Sequence, residues 1–577
     1  MPPKRKLPST DDQSGPNLKV QKTDLVSVLI SEFGDLQSIQ FEPFQPEEEC
    51  SARAILPSDF PTQPAPSDYF NLFFTSDLFD LITRNTNKYA AIQRLDTAEK
   101  GREWHDLNAD ELRVFIGVII YMGVHVAPDT SWYWNTDGAK GPIHSIPSYL
   151  PLTRFEQIKR YLHISCAETD KSKGFYLPDN SVWWYKLEPF ASRLQSSFRQ
   201  YYSPSTSVAI DELMIRCFGR SNHTYKMPNK PIKQGYKVYG IADHGYIYSW
   251  IWSSRLFGLE ELPVFDTLTN TGGLVRALVA TLPRDSMTIY MDNYFTSVPL
   301  FQSLRNSKYG AVGTTRPHDR FPHALSKLKK EGLKLKWNTL LAEVVDDTLC
   351  LAWQDNNIVL ALSTVHTIHT ANDFVIRLRK RPAKTSTSAR IVRCIFEDDA
   401  TKYLEILIFI DDYNHRIGAV DIANQLRESY ETHKTSFRNW WPLFYWLIDV
   451  IVINSYRLYQ VHMAQLSQES TFSHLEFRIS LYNYLFGFVQ DAKIHRLQSD
   501  LGGKRLFNSD LEHIHCKVKR TQVKTCVWCV YQMRYQKAIG QPIALRARRS
   551  GFGCSFCDVA LCQNTDCWSQ YHRWHVY

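Results

Sequence analysis

Two short apolar runs, each followed directly by an aspartate, constrain the fold of this chain more than any other feature. Residues 207–210 precede Asp211, and residues 287–291 precede Asp292. Runs of this length and composition predict strands. A carboxylate at the end of a buried strand costs several kcal/mol unless a cation or a hydrogen-bond donor compensates it. The pattern therefore predicts an α/β core that carries acidic side chains at its strand ends.

The two ends of the chain differ in composition from its centre. Residues 1–66 are rich in Pro, Ser, Asp, Glu and Gln, which predicts a disordered N-terminal tail. Residues 67–203 have apolar residues at helical spacing and predict a helical region. At the other end, a linker over residues 491–512 is predicted to precede a cysteine-rich domain over residues 513–577.

The centre of the chain alternates between strand-like and helical patterns. Residues 204–309 contain both patterns, and strand-like runs dominate residues 310–405. Helical patterns return over residues 406–490. This order predicts an α/β domain that is interrupted by a β-rich segment.

Positive charge is concentrated at the C-terminal end. The chain has a formal net charge of +8, and residues 501–577 hold twelve Lys and Arg against four Asp and Glu. Residues 1–500 therefore sum to zero. A basic tail of this kind is expected to meet a polyanion such as nucleic acid.

The sequence predicts neither a membrane partner nor secretion. The N-terminus carries the basic cluster at residues 4–6 where a secretory protein has an apolar segment. The longest apolar stretch, residues 440–453, is interrupted by Pro442 and Asp449 and is too short to span a bilayer, so it predicts a buried helix. The basic cluster favours the nucleus, although short runs of this kind are also typical of solvated surface charge.

Seven of the twelve cysteines lie after residue 510. Two pairs have a spacing of two intervening residues, which directs both thiolates at one tetrahedral Zn²⁺ ion. Without a secretory signal, such clustering predicts metal ligands rather than disulfides. A small domain has little apolar core, so zinc would supply much of its folding free energy. The candidate ligands, enough for two Zn²⁺ ions, are Cys526, Cys529, Cys554, Cys557, Cys562, Cys567, His572 and His575.

A third aspartate completes a candidate site for divalent cations. Asp421 follows Gly418 closely and lies at the predicted start of a helix. Together with Asp211 and Asp292 it would form an oxygen-rich set that holds two Mg²⁺ (or Mn²⁺) ions about 3.5–4 Å apart for phosphoryl transfer. The pattern alone also fits aspartates that form turns or cap helices.

A basic segment follows the first aspartate. Residues 213–242 contain no acidic side chain. Lys and Arg contacts with phosphates give affinity and register, so this segment is a candidate for holding a DNA strand beside the carboxylates. The alternative is a solvated loop without a specific partner. Its basic residues are Arg216, Arg220, Lys226, Lys230, Lys233 and Lys237.

Several longer motifs resemble piggyBac transposases over residues 68–460. They occur in the same order as the family's catalytic blocks. The matching segments are VAIDE at 208–212, GYK at 235–237, YMDNYFTS at 290–297, GAVD at 418–421 and NWWP at 439–442.

The resemblance implies an RNase H-like core in which Asp211, Asp292 and Asp421 are the catalytic, metal-binding triad. It also implies cut-and-paste DNA transposition with a hairpin intermediate, a TTAA target and a homodimer on double-stranded transposon ends. Residues 67–203 then become a helical region for dimerisation and DNA binding, and residues 310–405 become a β-rich insertion.

The C-terminal domain is similar to the cross-brace zinc finger of the same family. The resemblance groups Cys526, Cys529, Cys562 and Cys567 on one Zn²⁺, and Cys554, Cys557, His572 and His575 on the other. His513, His515 and Cys516 are interpreted as ordinary structural residues, with His515 as an alternative to a terminal histidine. Arg546, Arg548 and Arg549 fit a module that reads the transposon end. Cross-brace fingers also occur in ubiquitin ligases and histone-tail readers, so this topology does not identify a partner.

One position departs from the family pattern. The family usually carries a fourth acid three residues after the third, whereas this chain has Asn424. An amide has no negative charge, which favours the alternative of a domesticated DNA-binding protein with weak or no catalytic activity.

Overall fold

The computed structural model divides the chain into two compact units, which are described separately. The first unit comprises Met1–Leu56, Phe198–Ser429 and Gln460–Gln468, and the second comprises Pro57–Ser197, Tyr430–Tyr459 and Glu469–Tyr577. The structure describes residues 36, 39–46, 49–95, 103–166, 182–228, 230–256, 258, 265, 267–333, 335–368, 373–383, 393–489, 517–542, 546–554, 559–563 and 566–573.

The strands and helices of these residues are numbered in chain order. The strands are β1 (Arg53–Ala54), β2 (Tyr202–Ser203), β3 (Ser207–Arg216), β4 (Tyr225–Lys226), β5 (Gln234–Asp243), β6 (Tyr246–Ser253), β7 (Thr288–Met291), β8 (Gly310–Thr315), β9 (Leu340–Val345), β10 (Thr348–Gln354), β11 (Ile358–Ser363), β12 (Phe374–Lys380), β13 (Thr401–Leu407), β14 (Lys517–Thr525), β15 (Arg549–Cys554) and β16 (Val559–Ala560). The α-helices are α1 (Pro66–Phe73), α2 (Ser76–Leu95), α3 (Ala109–Val124), α4 (Ile146–Tyr149), α5 (Leu152–Tyr161), α6 (Phe190–Gln200), α7 (Asn270–Val279), α8 (Val298–Asn306), α9 (His323–Lys330), α10 (Ile408–Arg416), α11 (Ala419–Ser429), α12 (Trp441–Gln465), α13 (His474–Gly487), α14 (Val527–Ala538) and α15 (Cys567–Arg573).

A nine-stranded mixed sheet organises the first unit. Its strand order is β4-β5-β3-β7-β8-β11-β10-β9, and β6 pairs with β5 outside this path. The neighbouring strands β3, β7 and β8 are parallel, and the strands on either side of them are antiparallel. Parallel neighbours require a crossover connection, which α8 provides between β7 and β8. Fully buried residues in β3 and β7 place the core on this sheet.

The predicted end of the first strand is wrong. The sequence pattern placed the end at Ile210, but β3 continues to Arg216 and pairs with β5 as far as Gly235. The residues after Glu212, from Leu213 to Ile215, are buried and apolar. Burial of both faces therefore extends the strand past the two acids, so that Asp211 lies within β3 rather than after it.

The β-rich segment at 310–405 is not separate from the core. Strand β8 pairs with β7, and β11 pairs with β8. Strands β10 and β9 extend the same sheet further. The predicted boundary after residue 309 therefore cuts through a continuous hydrogen-bonded ladder, while β12 and β13 form a two-stranded sheet of their own.

The predicted N-terminal tail is too long at its C-terminal end. Strand β1 pairs with β2, and the Cys50 backbone N–H donates to Thr206 Oγ1 at 2.6 Å. Phe44 N also donates to Thr364 O at 2.7 Å. These backbone contacts fix residues within 39–56 on the first unit, whereas residues 1–35 and the predicted linker at 491–512 lie outside the described residues.

Helices form the larger part of the second unit. Helix α3 begins at Ala109, where the Asn108 side chain caps it by accepting from Glu111 N. Helix α13 packs closely on α3, since a Cβ at Gly117 would lie 3.0 Å from Leu485 Cβ. A buried ion pair between Arg154 and Glu111, 2.6 Å long, ties α5 to α3. The predicted buried helix at 440–453 is confirmed as the first half of α12.

The C-terminal end of the second unit contains a small three-stranded sheet. Its order is β14-β15-β16, and helices α14 and α15 accompany it. In the part of the chain that the structure describes, no helix combines the length and apolar character of a membrane span.

Candidate functional site

Sheet register brings the first two aspartates together. Strands β3 and β7 are parallel, with Ile210 opposite Met291. One further step along both strands places Asp211 beside Asp292. Gly313 allows β8 to lie close to β7 at this end of the sheet, because a Cβ at this position would lie 2.6 Å from the Met291 carbonyl oxygen.

The third aspartate comes from a helix that packs on β3. Asp421 lies in the first turn of α11, as predicted. The turn between β5 and β6 approaches this helix at Gly245, which has φ of +89°. A Cβ at Gly245 would lie 2.7 Å from Ile422 Cγ2. Glycine therefore permits both the backbone conformation and the close approach that positions Asp421.

The three carboxylates interact electrostatically. Burial raises the pKa of Asp211 to about 7; a hydrogen bond from Glu212 N opposes this shift, and the charges of Asp292 and Asp421 add to it. Burial also raises the pKa of Asp292, while the backbone N–H of Tyr294, 2.8 Å from Asp292 Oδ1, lowers it. Asp421 is exposed, whereas Asp211 and Asp292 are half-buried. A bound cation would stabilise two half-buried carboxylates that have a third negative charge nearby.

Glu212, the neighbour of Asp211, has a different environment. Its two carboxylate oxygens pair with Lys230 Nζ at 2.7 Å and with Lys237 Nζ at 2.5 Å. These hydrogen bonds lower the pKa of Glu212 against the effect of burial. Among the described residues no ion pair within 4 Å compensates Asp211 in this way. The charge of Glu212 is therefore balanced by two lysines, whereas the charge of the neighbouring Asp211 is not balanced by an ion pair in the described residues.

The arrangement fits oxygen-ligated cations. The carboxylate oxygens of the triad do not all lie within 4.8 Å of one another. Among the described residues, only the four cysteines of the C-terminal end form such a close group. Two ions about 3.5–4 Å apart need ligands on both sides of the pair, so a wider set is suitable. In addition, Asn424 Oδ1 is buried and has no hydrogen-bond partner in the described structure. One turn beyond Asp421, this amide offers a neutral oxygen donor.

The basic segment after Asp211 is divided between surface and interior. Five of its six predicted DNA contacts are exposed at the surface: Arg216, Arg220, Lys226, Lys230 and Lys233. Lys237 is different, since its side chain is 8% exposed and its ammonium group is held by Glu212. The DNA contact at Lys237 stays a prediction, and the burial of this side chain and its ion pair with Glu212 distinguish it from the five exposed residues.

Sequence reasoning missed a cavity beside Asp292 that is lined by an arginine and by the starts of two helices. The cavity has a volume of about 580 Å³. Arg316 lines it and donates from Nε to Asn293 Oδ1 at 2.7 Å. Helices α7 and α8 both begin at it, with N-caps Thr269 and Ser297. Helix N-termini and an arginine favour anions. Arg316 and Arg320, shortly after β8, could have indicated an anion site in the sequence. Only the fold shows that they line a cavity next to Asp292.

The structure brings four cysteines of the C-terminal end together. Cys526, Cys529, Cys562 and Cys567 are all buried, and their sulfur atoms lie within 4.8 Å of one another. Cys529 Sγ lies 3.6 Å from both Cys562 Sγ and Cys567 Sγ. These are the four that the resemblance groups on one ion. The set is compatible with tetrahedral zinc.

The second predicted zinc set is only partly described. Cys554 is buried, and His572 donates from Nδ1 to Trp568 O at 2.7 Å, if that nitrogen carries the proton. Such a bond orients a histidine to ligate through its other nitrogen. Cys557, His575, His513, His515 and Cys516 lie outside the described residues. The three arginines that were predicted to contact DNA in this module are exposed: Arg546, Arg548 and Arg549.

The fold and site define a class of protein: an α/β protein with a carboxylate cluster on a mixed sheet and a cysteine-rich module. Residues 65–456 match the family model described as Transposase IS4. The chain therefore belongs to this transposase family, and it is a piggyBac-like member of it.

Individual relatives support this assignment. The chain is 24% identical over 412 residues to human PiggyBac transposable element-derived protein 2, covering 69% of this chain and 62% of the relative. It is also 24% identical over 541 residues to human PiggyBac transposable element-derived protein 3, covering 89% of this chain and 78% of the relative. The match thus spans less than two thirds of the first of these relatives.

A solved structure has a similar fold. The structure is a piggyBac transposase synaptic complex with hairpin DNA, solved by cryo-EM. The TM-score is 0.61 at 20% identity, and the match covers 89% of this chain and 98% of that one. The mixed α/β architecture is therefore that of a piggyBac transposase.

Proposed function

We propose that this protein is a DNA transposase that cuts and joins DNA by metal-dependent phosphoryl transfer. The observation that carries the proposal is the parallel pairing of β3 with β7, which ends with Ile210 opposite Met291, so that Asp211 and Asp292 each follow a paired residue, with Asp421 on the adjoining helix. The charges of Asp292 and Asp421 also contribute to the raised pKa of Asp211, which supports a single site for the three.

The three aspartates would hold two Mg²⁺ (or Mn²⁺) ions, with Asn424 as a neutral fourth oxygen. When bound, such ions activate the attacking oxygen and stabilise the leaving one. The residues of the chain supply the geometry: Glu212 N and Tyr294 N each hold one carboxylate oxygen in place. On this proposal the sheet around β3, β7 and β8 is an RNase H-like core.

DNA would be held by basic groups on either side of the carboxylates. The exposed residues of the segment after Asp211, from Arg216 to Lys233, fit one stretch of phosphate backbone. Arg316 and the start of α8 fit another, next to Asp292. Because such contacts carry no base information, sequence recognition falls to other groups.

The cysteine-rich module would recognise the transposon ends. Four buried cysteines would hold one Zn²⁺, and the Cys554, Cys557, His572 and His575 set a second. Exposed Arg546, Arg548 and Arg549 lie on this module. Hairpin intermediates, a TTAA target, a homodimer on paired ends and action in the nucleus complete the proposal, by similarity to the family.

Asn424 favours a second candidate function. A domesticated descendant would bind DNA through the same surfaces without cutting it. The amide lowers the negative charge of the site by one relative to the usual family pattern, which weakens its hold on divalent ions.

A cleavage assay on the full chain tests the proposal. The substrate is a DNA duplex that carries the inverted repeats flanking the coding region, joined to a TTAA flank, with Mg²⁺. Asp292→Ala is expected to lower cleavage at least about 10³-fold, since metal ions stabilise the transition state by several kcal/mol and 1.36 kcal/mol is a factor of ten. Binding of the duplex is expected to stay within about twofold of the parent.

Asp398→Ala is the matched control, because Asp398 is an exposed acid of the same unit and is not among the charges that shift the pKa of Asp211 or Asp292. Cleavage by the Asp292→Ala variant at the parental rate would refute the catalytic assignment. A parent chain that binds the duplex but cuts no more than Asp292→Ala would support the domesticated function instead.

A further inference from the structure

Lys237 occupies a position that neither phosphate binding nor simple core packing explains. It lies on β5, and only 8% of its side chain is exposed. Its Nζ lies 2.5 Å from Glu212 Oε2. The same Nζ lies 4.8 Å from the ring centroids of Tyr239 and Tyr294. The ammonium group therefore contacts β3 and the loop after β7, as well as a tyrosine of its own strand β5.

These contacts lead directly to two of the carboxylates. Glu212 follows Asp211 on β3, and its backbone N–H donates to Asp211 Oδ1 at 2.7 Å. Tyr294 belongs to the loop after β7, and its backbone N–H donates to Asp292 Oδ1 at 2.8 Å. Lys237 thus touches the side chain of each residue whose backbone holds one carboxylate.

The tyrosines strengthen the connection. Tyr239 and Tyr294 are stacked, with ring planes within 6° of parallel, and their hydroxyl groups lie 3.2 Å apart. Tyr294 is nevertheless 45% exposed, so packing alone does not fix it. Cation–π contact with a desolvated ammonium supplies an attraction that an exposed loop residue otherwise lacks.

We propose that Lys237 is a positioning residue that sets the spacing of Asp211 and Asp292 for divalent cations. It joins Glu212 on the strand of the first aspartate to Tyr294 on the loop of the second. This inference rests on the proposed function of the triad as a cation site. It assigns to Lys237 a role in the geometry of that site rather than in holding DNA.

The direction in which cation affinity changes when Lys237 is replaced distinguishes a positioning role from a purely electrostatic one. Lys237 is a positive charge close to the site, so its removal would strengthen cation binding if charge alone mattered. Loss of a positioning group weakens it instead, by roughly 10–100-fold for groups that orient metal ligands. Mn²⁺ titration of the full-length, zinc-loaded protein, followed by the EPR signal of free Mn²⁺, measures the affinity without any need for cleavage.

Lys237→Met is expected to weaken Mn²⁺ binding roughly tenfold or more, and Lys237→Arg to recover part of the loss. Lys330→Met, an exposed lysine at the end of α9, is expected to leave it unchanged. Mn²⁺ binding by Lys237→Met that equals or exceeds that of the parent overturns the inference.

Tyr294→Leu keeps the test decisive if Lys237→Met does not fold. It removes the exposed ring and leaves the Lys237–Glu212 ion pair intact, and it is expected to weaken Mn²⁺ binding in the same direction. Unchanged affinity in this variant also overturns the inference. Asp292→Ala separates the two proposals: if the parent binds Mn²⁺ no better than Asp292→Ala, the cation site itself is absent and the proposed function fails first.

Discussion

Adjacent acids on β3 show how little of a site is visible in residue type alone. Asp211 and Glu212 follow one another in the sequence, yet Glu212 is neutralised by two lysines and Asp211 is raised in pKa to about 7. Successive residues of a strand point to opposite faces of the sheet, so the two carboxylates meet different neighbours. The alternation of side chains along the strand therefore determines which of the two carboxylates is paired with lysines.

A buried histidine gives a prediction at the same scale. Burial lowers the pKa of His474 to about 3, and its Nε2 accepts a hydrogen bond from Arg478 Nε at 2.9 Å. The ring also stacks on Tyr456, with centroids 4.9 Å apart. The folded chain therefore keeps this imidazole neutral, whereas the unfolded chain protonates it near its ordinary pKa of 6.5.

Between these two values the unfolded state binds more protons, so stability falls as the pH is lowered from 6.5 towards 3. His474→Gln is expected to reduce the loss of unfolding free energy between pH 6 and pH 5 by about 1 kcal/mol. Urea unfolding at both pH values, followed by circular dichroism, measures it. The exposed His323 serves as control through His323→Gln, and an equal pH dependence in His474→Gln and the parent would contradict the assignment.

At the scale of elements, the third aspartate depends on a turn. Gly245→Ala would place a Cβ 2.7 Å from Ile422 on α11 and strain a backbone with φ of +89°. Gly332 has a similar φ of +60° but nothing within 4 Å of a Cβ. The two positions thus share the strain and differ in the contact.

Both alanine variants are expected to lose about 1 kcal/mol of unfolding free energy from strain. Only Gly245→Ala is expected to lose more than this, and to lower Mg²⁺-dependent cleavage, because it displaces the helix that carries Asp421. Equal cleavage and equal unfolding free energies in the two variants would show that the turn does not position α11.

The elements also show what sequence reasoning can reach. The helix start at Asp421 and the buried first half of α12 agree with their predicted positions, because each has a clear local pattern. The end of β3 and the boundary at 309 were wrong, since both depend on pairing with strands that are distant in sequence. The cavity at Arg316 was missed for the same reason. Local periodicity carries no information about which strands become neighbours.

At the scale of the whole molecule, the two candidate metal sites belong to different units. The triad lies in the first unit, and the four cysteines lie in the second. The cysteines form much of their own core, together with Trp528, Tyr531, Leu561 and Tyr571. A core this small, built around thiol groups, is expected to gain much of its stability from a bound metal ion.

Cys562→Ser is therefore expected to remove at least one zinc equivalent per chain and to unfold the cysteine-rich module. Duplex binding is expected to weaken, while Mn²⁺ binding at the triad is retained. Metal analysis and limited proteolysis measure these effects, with Cys394→Ser as control because Cys394 is an exposed cysteine outside the cluster. Full zinc content in the Cys562→Ser variant would refute the assignment.

The single sheet of the first unit restricts how such a protein can be rebuilt. Strands β8 to β11 hydrogen-bond in series with β7, the strand that ends at Asp292. Exchanging this segment with that of a relative would disturb the pairing of β8 with β7, the strand next to Asp292, or would shift the register of the two strands. Changes about twenty to seventy residues after Asp292 in sequence are thus expected to abolish the proposed cleavage as completely as loss of an acid. Chimaeras between members of this family are therefore best joined outside the ladder, not within it.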